Sequence, residues 1–221
     1  MMETAVRFFQ QGGPFMYPIA VILLLGLAIA IERFIYLATV KRRNRSAFDR
    51  GILPMLQKRD YRSALKVANQ SSSAIATIMS NGLARLLNRH PREDIEYAME
   101  EGLMEVLPRL EKRTQYLATL ANVSTLLGLL GTIIGLISAF TAVANADPAE
   151  KATLLSQSIS VAMNTTAFGL MAAIPLLLLH AWLQTRTNEI VDSFEMAGVK
   201  LLNIIAEDSG ASSAAKPAGQ G

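Results

Sequence analysis

Three long stretches of the chain contain no Asp, Glu, Lys or Arg and are dominated by Leu, Ile, Ala and Val. They cover 14–31, 114–146 and 152–185. A helix needs about 20 apolar residues to cross the roughly 30 Å hydrocarbon layer of a bilayer. The first stretch continues past Glu32-Arg33 into further apolar residues. The pattern therefore predicts three transmembrane helices, over 14–40, 114–142 and 153–186.

Apolar residues at helical spacing continue between and beyond these stretches. The segment 41–113 carries them at intervals of three and four, as in Ile75, Ile78 and Met79, which predicts a helical domain. Within it, Asp60 and 91–93 are predicted helix starts, and 61–64 and 88–91 are predicted connections. The same spacing from Glu93 onward predicts one helix of about 45 residues that enters the second span and is kinked by Pro108. The third helix is expected to continue over 187–207. The predicted fold is thus an all-α integral membrane protein with two long helices that extend into a helical cytoplasmic domain.

The ends of the chain and the loop between the last two spans carry weaker patterns. Residues 1–13 are expected to form a short amphipathic segment at the periplasmic surface, or else a frayed terminus. The first span is expected to be retained rather than cleaved as a signal peptide, because no small-residue cleavage site follows it. Residues 143–152 are predicted to form a periplasmic loop. The tail 208–221, made largely of Ser, Ala, Gly, Lys and Pro, is predicted to be disordered.

Basic residues indicate how the chain is oriented. Lys and Arg concentrate on the cytoplasmic side of membrane spans. They follow the first span, precede the second and follow the third, whereas the loop near Asp147 holds a single lysine. The flanking residues are Lys41, Arg42, Arg43, Arg45, Arg109, Lys112, Arg113 and Arg186. We therefore expect a periplasmic N-terminus, a cytoplasmic 41–113 segment and a cytoplasmic C-terminus.

Composition argues against several classes of function. The 221 residues include no cysteine and two histidines, His90 and His180, without ligand-like spacing, so no metal site is expected. The net charge of +3 comes from residues that flank spans, which argues against nucleic-acid binding. The chain lacks a nucleophile–base pair and a phosphate-binding loop. We therefore expect neither an enzyme nor a bound cofactor.

Small and hydroxyl-bearing residues distinguish the second and third spans from plain anchors. Gly128, Gly131 and Gly135 share one side of the second helix, which lets another backbone approach closely. The third span carries a ladder of polar residues, namely Ser156, Ser158, Ser160, Asn164, Thr165, Thr166 and Gly169. Polar groups in lipid must find partners. Helix packing and the lining of a pore both remain open as interpretations.

The same two spans contain no acidic or basic side chain that could carry a proton, apart from His180 near the inner end. A threonine hydroxyl does not take up and release a proton near neutral pH. If protons cross the membrane here, a carboxylate from a second subunit or a chain of water molecules must carry them.

Several motifs together resemble a known family. They are Tyr17-Pro18, the run from Glu32 to Leu37, the segment Leu126–Gly135 (LLGLLGTIIG), and Thr166–Pro175 (TAFGLMAAIP). From Tyr17 to about Val199 the chain resembles the MotA/TolQ/ExbB family of proton channels, and within it the three-span ExbB–TolQ branch.

The resemblance implies a homopentamer in the bacterial inner membrane, with a pore lined by the second and third helices. A dimer of an ExbD- or TolR-like single-span partner would lie inside the pore, and its Asp would carry the ion. The family's pore threonines correspond to Thr132 and Thr166. Thr165, Asn164, Ser158 and Pro175 are further pore-lining candidates, and Gly128, Gly131, Gly135 and Gly169 are packing candidates. The motor would act on a TonB- or TolA-like envelope protein.

Two features leave the coupling ion open between H⁺, which is favoured, and Na⁺. Val161 stands where relatives usually have Glu, so the partner's Asp is the one obvious acid in the membrane. Thr165 adds a second hydroxyl beside Thr166. Glu32-Arg33 are expected to contact a neighbouring helix or lipid headgroups, and His180 is expected at the membrane interface. The competing functions are a non-conducting helical membrane scaffold and, as a third reading, a solute carrier.

Overall fold

The computed structural model describes residues 12–144 and 146–214 of the chain. Most of the predicted amphipathic segment 1–13 lies outside these residues. The helices are α1 (Met16–Ser46), a π-helical turn (Ala47–Ile52), α2 (Leu53–Gln57), α3 (Tyr61–Gln70), α4 (Ala74–Leu87), α5 (Arg92–Glu111), α6 (Thr114–Ala144) and α7 (Lys151–Ala214).

The predicted fold class is confirmed. The described residues form helices without strands, and three of the helical stretches are long and apolar enough to cross a membrane. These stretches contain α1, α6 and α7. The 31 residues of α6 rise about 46 Å at about 1.5 Å per residue. The helix is therefore longer than the hydrocarbon layer is thick.

The prediction of one continuous helix with a kink at Pro108 is wrong. Helix α5 continues through Pro108 to Glu111. The helical conformation is then interrupted at Lys112 and Arg113. Arg113 has a φ of 67°, a left-handed conformation that a helix cannot contain. Its guanidinium Nη1 lies 2.6 Å from Glu32 Oε1 on α1. The spacing of apolar residues does not reveal the backbone angle of a single residue. For this reason the bend was predicted at the proline and not at Arg113.

Helix α7 ends at Ala214, beyond the predicted helix end at 207. The predicted disorder of 208–214 is therefore wrong. Residues 211–214 are Ala and Ser, and alanine is the strongest helix former, so this composition is compatible with a longer helix. Pro217 follows, and residues 215–221 of the predicted tail lie outside the described part.

The chain divides into two units. The first comprises Met1–Phe34 and Arg113–Gln184. Within it, a Cβ atom added to Gly26 of α1 would meet Leu176 of α7, and the rings of Phe34 and Trp182 stack with centroids 5.4 Å apart. Many of its large apolar side chains are exposed, including Leu24, Leu126, Ile137, Phe140 and Leu178. In a membrane such a surface faces lipid or other protein.

The second unit comprises Ile35–Lys112 and Thr185–Gly221. Its core consists of large side chains that are almost fully buried, namely Ile52, Leu56, Met79, Leu83, Ile95, Phe194 and Leu201. Ion pairs on its surface join Lys41 to Glu189 at 2.7 Å and Arg59 to Asp208 at 2.6 Å. This unit is packed as a water-soluble helical domain is packed.

Local signals define the helix ends in the second unit. Asp60 Oδ1 accepts a hydrogen bond of 3.1 Å from the backbone N–H of Ser63, and hydrogen bonds from Ser63 lower the pKa of the Asp60 carboxyl. Asp60 was predicted as a helix start, and this cap confirms it. The separate prediction of a connection over 61–64 is wrong, because the capped helix begins at Tyr61. The predicted connection over 88–91 is confirmed.

Candidate functional site

Helices α6 and α7 touch through their backbones at two glycines. A Cβ atom added to Gly128 would lie 3.2 Å from the Cα atom of Gly169, and one added to Gly169 would lie 2.9 Å from the carbonyl oxygen of Ser124. No side chain separates the helices at this point. The contact, called here the glycine contact (Gly128 and Gly169), brings the residues on either side of it within hydrogen-bond distance.

The other two glycines of α6 receive side chains of α7. A Cβ atom on Gly131 would collide with Cγ2 of Thr165, and one on Gly135 would lie 2.8 Å from Cβ of Ala162. The glycine side of α6 is therefore the side that packs on α7 along about two turns.

Two hydroxyl groups meet next to the glycine contact. Thr132 Oγ1 on α6 and Thr166 Oγ1 on α7 form a hydrogen bond with each other. Thr166 Oγ1 also lies 2.9 Å from the carbonyl oxygen of Gly128, and Thr132 Oγ1 lies 3.4 Å from that of Ala162. Both side chains are half-buried. We call these residues the threonine pair.

The threonine pair has more acceptors than protons. Each hydroxyl has one O–H to donate and two lone pairs that accept. Two protons are thus shared among two hydroxyl oxygens and the carbonyl oxygens of Gly128 and Ala162. Rotation of either O–H exchanges one acceptor for another without moving a helix. The pair can therefore accept or donate a hydrogen bond when another polar group or a water molecule lies next to it.

Thr165 lies on a different side of α7. It is 2% exposed, and its Oγ1 donates to the carbonyl oxygen of Gly12 or to that of Val161 at 3.0 Å. Successive residues of an α-helix differ by about 100° around the axis, so Thr165 and Thr166 cannot both face the same space. The Thr165 hydroxyl is thus turned inward in this chain, and its place along a pore stays a prediction.

The remaining predicted pore residues lie on α7 and are half-buried. Asn164 precedes Thr166 by two residues and is rotated away from it, whereas Ser158 lies about two turns before it. Pro175 lies inside the continuous helix. Because proline has no N–H, the carbonyl of Met171 lacks its usual helical donor. The structure does not bring these three residues into the threonine pair.

Ser124 belongs to the same arrangement, although it was not among the predicted site residues. Its side chain is fully buried, and its Oγ donates a hydrogen bond of 3.1 Å to the carbonyl oxygen of Gly169. The available signal was its spacing, since Ser124 precedes Gly128 by four residues and shares its helix side.

The two apolar stretches that carry the threonine pair contain no carboxylate in their sequence. Residues 114–146 and 152–185 contain no acidic or basic side chain other than His180. Among the described residues, no group of three His, Asp or Glu side chains could hold a metal ion. The chemistry available to the pair itself is therefore hydrogen bonding through neutral hydroxyls and carbonyls.

The chain is similar to known membrane proteins. Residues 70–196 match the MotA/TolQ/ExbB proton channel family. A biopolymer transport protein ExbB homologue of Methanothermobacter thermautotrophicus is 30% identical over 194 residues, which cover 87% of this chain and 67% of the relative. The Tol-Pal system protein TolQ of Haemophilus influenzae is 37% identical over 99 residues, 44% of this chain and 42% of TolQ.

A third relative is the biopolymer transport protein ExbB of Salmonella typhimurium, which is 29% identical over 141 residues. That alignment covers 57% of this chain and 56% of the relative. The relatives carry the names of the ExbB–TolQ branch, and the three long apolar helices suit a multi-pass membrane protein. The chain belongs to the MotA/TolQ/ExbB proton channel family and is a membrane subunit linked to the proton motive force.

Proposed function

We propose that the chain is the channel-wall subunit of an ion-driven motor that energises processes in the bacterial envelope, such as transport across the outer membrane. The observation that carries this proposal is the threonine pair. Two hydroxyls face each other across the glycine contact, in a region whose sequence contains no acid. Polar groups in a membrane need polar partners, and a carboxyl group from a second subunit would be one for this half-buried pair.

The missing acid identifies what the partner must supply. Ion transfer through an apolar layer needs a group that binds and releases the ion, and the threonine pair does neither near neutral pH. A single-span subunit of the ExbD or TolR kind would bring an Asp to the level of the pair. The hydroxyls would then hydrogen-bond the carboxyl group, or water next to it, during each transfer.

This role requires a ring. We propose a homopentamer in the inner membrane that encloses a dimer of the single-span partner, with the N-terminus periplasmic and the C-terminus cytoplasmic. The exposed apolar side chains of the first unit, such as Leu126 and Ile137, would pack against neighbouring copies, the partner or lipid. A TonB- or TolA-like protein would receive the mechanical work.

We propose H⁺ as the coupling ion. A Na⁺ site would need several oxygen ligands directed at one point. Thr165 was the candidate for a second hydroxyl, but its Oγ1 bonds to Gly12 and Val161 instead of facing the space next to Thr166. One hydroxyl from each helix is enough for a hydrogen-bonded proton path, whereas a sodium site needs more oxygen ligands than this pair supplies.

A non-conducting scaffold is the second candidate, and one observation favours it. Every hydroxyl of the arrangement has a partner inside the chain, including Ser124 on Gly169 and Thr166 on Gly128. Such bonds also hold membrane helices together without any ion. The scaffold would assemble with partners but pass no current.

Proton flux distinguishes the two candidates. Vesicles containing the chain and its single-span partner are expected to take up protons under an imposed potential. Thr166→Val keeps the shape and removes the hydroxyl, so flux should fall to background while the complex still assembles. Thr119→Val is the matched control, because the Thr119 hydroxyl is exposed and bonds to Gln115 in its own helix. Unchanged flux in Thr166→Val contradicts the site, and an assembled wild type without flux supports the scaffold.

A further inference from the structure

The second unit contains a cavity with several polar side chains in its wall, and the proposed ion path does not use it. Its volume is about 170 Å³, and it lies between α1, the serines before α4, and α5. The polar residues that line it include Arg43, Asn44, Ser72, Ser73, Thr77 and Arg109. Two guanidinium groups, an amide and three hydroxyls therefore surround one small space.

The charges of the cavity favour an anion. Arg43 Nη2 donates a hydrogen bond of 2.8 Å to Ser72 Oγ, which holds the guanidinium at the wall. Arg109 lies on α5, and Glu105 lines the same space one turn before it. Two positive charges and one negative charge leave a net positive charge. Arginine is the side chain best suited to bind phosphate oxygens, because its planar fork donates two parallel hydrogen bonds.

Asn44, which lines this space, carries a buried side-chain donor. Its side chain is 4% exposed, and its Oδ1 accepts a hydrogen bond of 3.2 Å from the backbone N–H of Ile75. Within residues 12–144 and 146–214, no group accepts a hydrogen bond from its Nδ2. A buried donor without a partner costs about 1–3 kcal/mol. An anion in the cavity would give this donor an acceptor.

The start of α4 adds to the same field. This helix of 14 residues begins at Ala74, and the side chain of its N-cap residue, Ser73, forms no capping hydrogen bond. Helix N-termini carry about half a positive charge and bind phosphate groups. Ser72, Ser73, Ala74 and Thr77 all line the cavity, so the first turn of α4 forms part of its wall.

The sequence places the cavity next to the membrane surface. Arg43 follows the first predicted span, which ends at residue 40, and Arg109 precedes the second, which begins at residue 114. Tyr36 also lines the cavity and is 37% exposed, and tyrosine favours the level of lipid headgroups. A volume of about 170 Å³ holds a phosphate group but not the acyl chains of a lipid, which would remain in the bilayer.

We propose that this cavity binds the phosphate group of an anionic phospholipid headgroup, through the guanidinium groups of Arg43 and Arg109 and the free amide N–H of Asn44. The site is independent of the ion path, since its residues all belong to the second unit. The lipid would fix the end of α1 to α4 and α5 where the chain leaves the bilayer.

Native mass spectrometry of the delipidated full-length chain in detergent tests the site, with phosphatidylglycerol as the probe. Asn44→Asp keeps the acceptor for the Ile75 N–H and replaces the unpartnered donor with a negative oxygen. We expect it, and Arg43→Ala with Arg109→Ala, to weaken binding about tenfold or more. Glu105→Gln should strengthen binding, because it removes the opposing charge. Arg42→Ala is the matched control, since Arg42 is exposed and adjacent but does not line the cavity.

Four results would overturn the proposal. Equal loss of binding in Arg42→Ala would mean general attraction between a basic surface and anionic lipid. Unchanged binding in Asn44→Asp, with helical content preserved by circular dichroism, would remove the amide from the site. If diacylglycerol with the same acyl chains binds as tightly as phosphatidylglycerol, the phosphate is not the recognised group. If inorganic phosphate displaces phosphatidylglycerol at an equal concentration, the site binds a free anion and not a lipid.

Discussion

The two units of this chain bring helices together by opposite means. In the first, Gly128 and Gly169 have no side chains, so the backbones of α6 and α7 touch. Hydroxyl groups next to these glycines add hydrogen bonds between the two helices. In the second, large side chains such as Leu83 and Phe194 fill the space between helices. Burial of apolar surface gives no gain against lipid tails, so close approach and hydrogen bonds must hold membrane helices. In water, the hydrophobic effect does that work.

The largest expected effect comes from filling the glycine contact. Gly169→Val would place side-chain carbon next to the carbonyl oxygen of Ser124 and the Cα atom of Gly128, and neither backbone atom can move aside alone. We expect α6 and α7 to separate and the purified chain to lose its single symmetrical peak in size-exclusion chromatography.

Gly198→Val is the control for this substitution. Gly198 lines a cavity of about 420 Å³ in the second unit, where an added Cβ would meet only the flexible end of Met99, at 3.7 Å. A normal peak is expected. If both variants elute normally, the helices of the first unit do not depend on backbone contact.

Truncation of a core side chain in the second unit should have the next largest effect. Leu83 is fully buried, so Leu83→Ala is expected to lower the free energy of unfolding by about 2–5 kcal/mol. The matched variant in the first unit is Leu24→Ala on α1, whose side chain is 66% exposed. It should change the same quantity by about 0.5 kcal/mol or less in detergent. Equal losses would show that the units do not differ in how they are stabilised.

The smallest expected effect is a gain in stability. Arg89 has a φ of 57°, and the bonds from Arg89 N to Leu86 O and from His90 N to Arg85 O close a Schellman motif. Glycine takes this conformation without strain, so Arg89→Gly should raise the unfolding free energy of the chain by about 0.5–1 kcal/mol. Arg85→Gly, inside α4, should lower it by about 1 kcal/mol. A loss in both variants would contradict the motif.

The sequence was sufficient for the features that depend on hydrophobic pattern. Three uncharged stretches predicted three long apolar helices, because a bilayer requires a fixed length of apolar chain. The glycine spacing on α6 pointed to the side that meets α7, since residues three and four apart share a helix side. The cap at Asp60 could be read because aspartate favours that position.

Features that depend on a single angle or a single rotation could not be predicted. The break at Arg113 rests on one left-handed residue, which apolar spacing does not reveal. Thr165 and Thr166 are adjacent in the sequence, and only the structure shows that one hydroxyl turns to Gly12 and the other to Thr132. The cavity next to Asn44 joins residues from three separate segments, so no local motif signals it.

The most direct test of the proposed ion path is a structure of the chain purified together with its single-span partner. Our account predicts five copies around a central space, with a partner carboxyl group within hydrogen-bond distance of the Thr132 or Thr166 hydroxyl. A closed bundle, in which neighbouring copies seal the threonine pair and no partner helix enters, would contradict it.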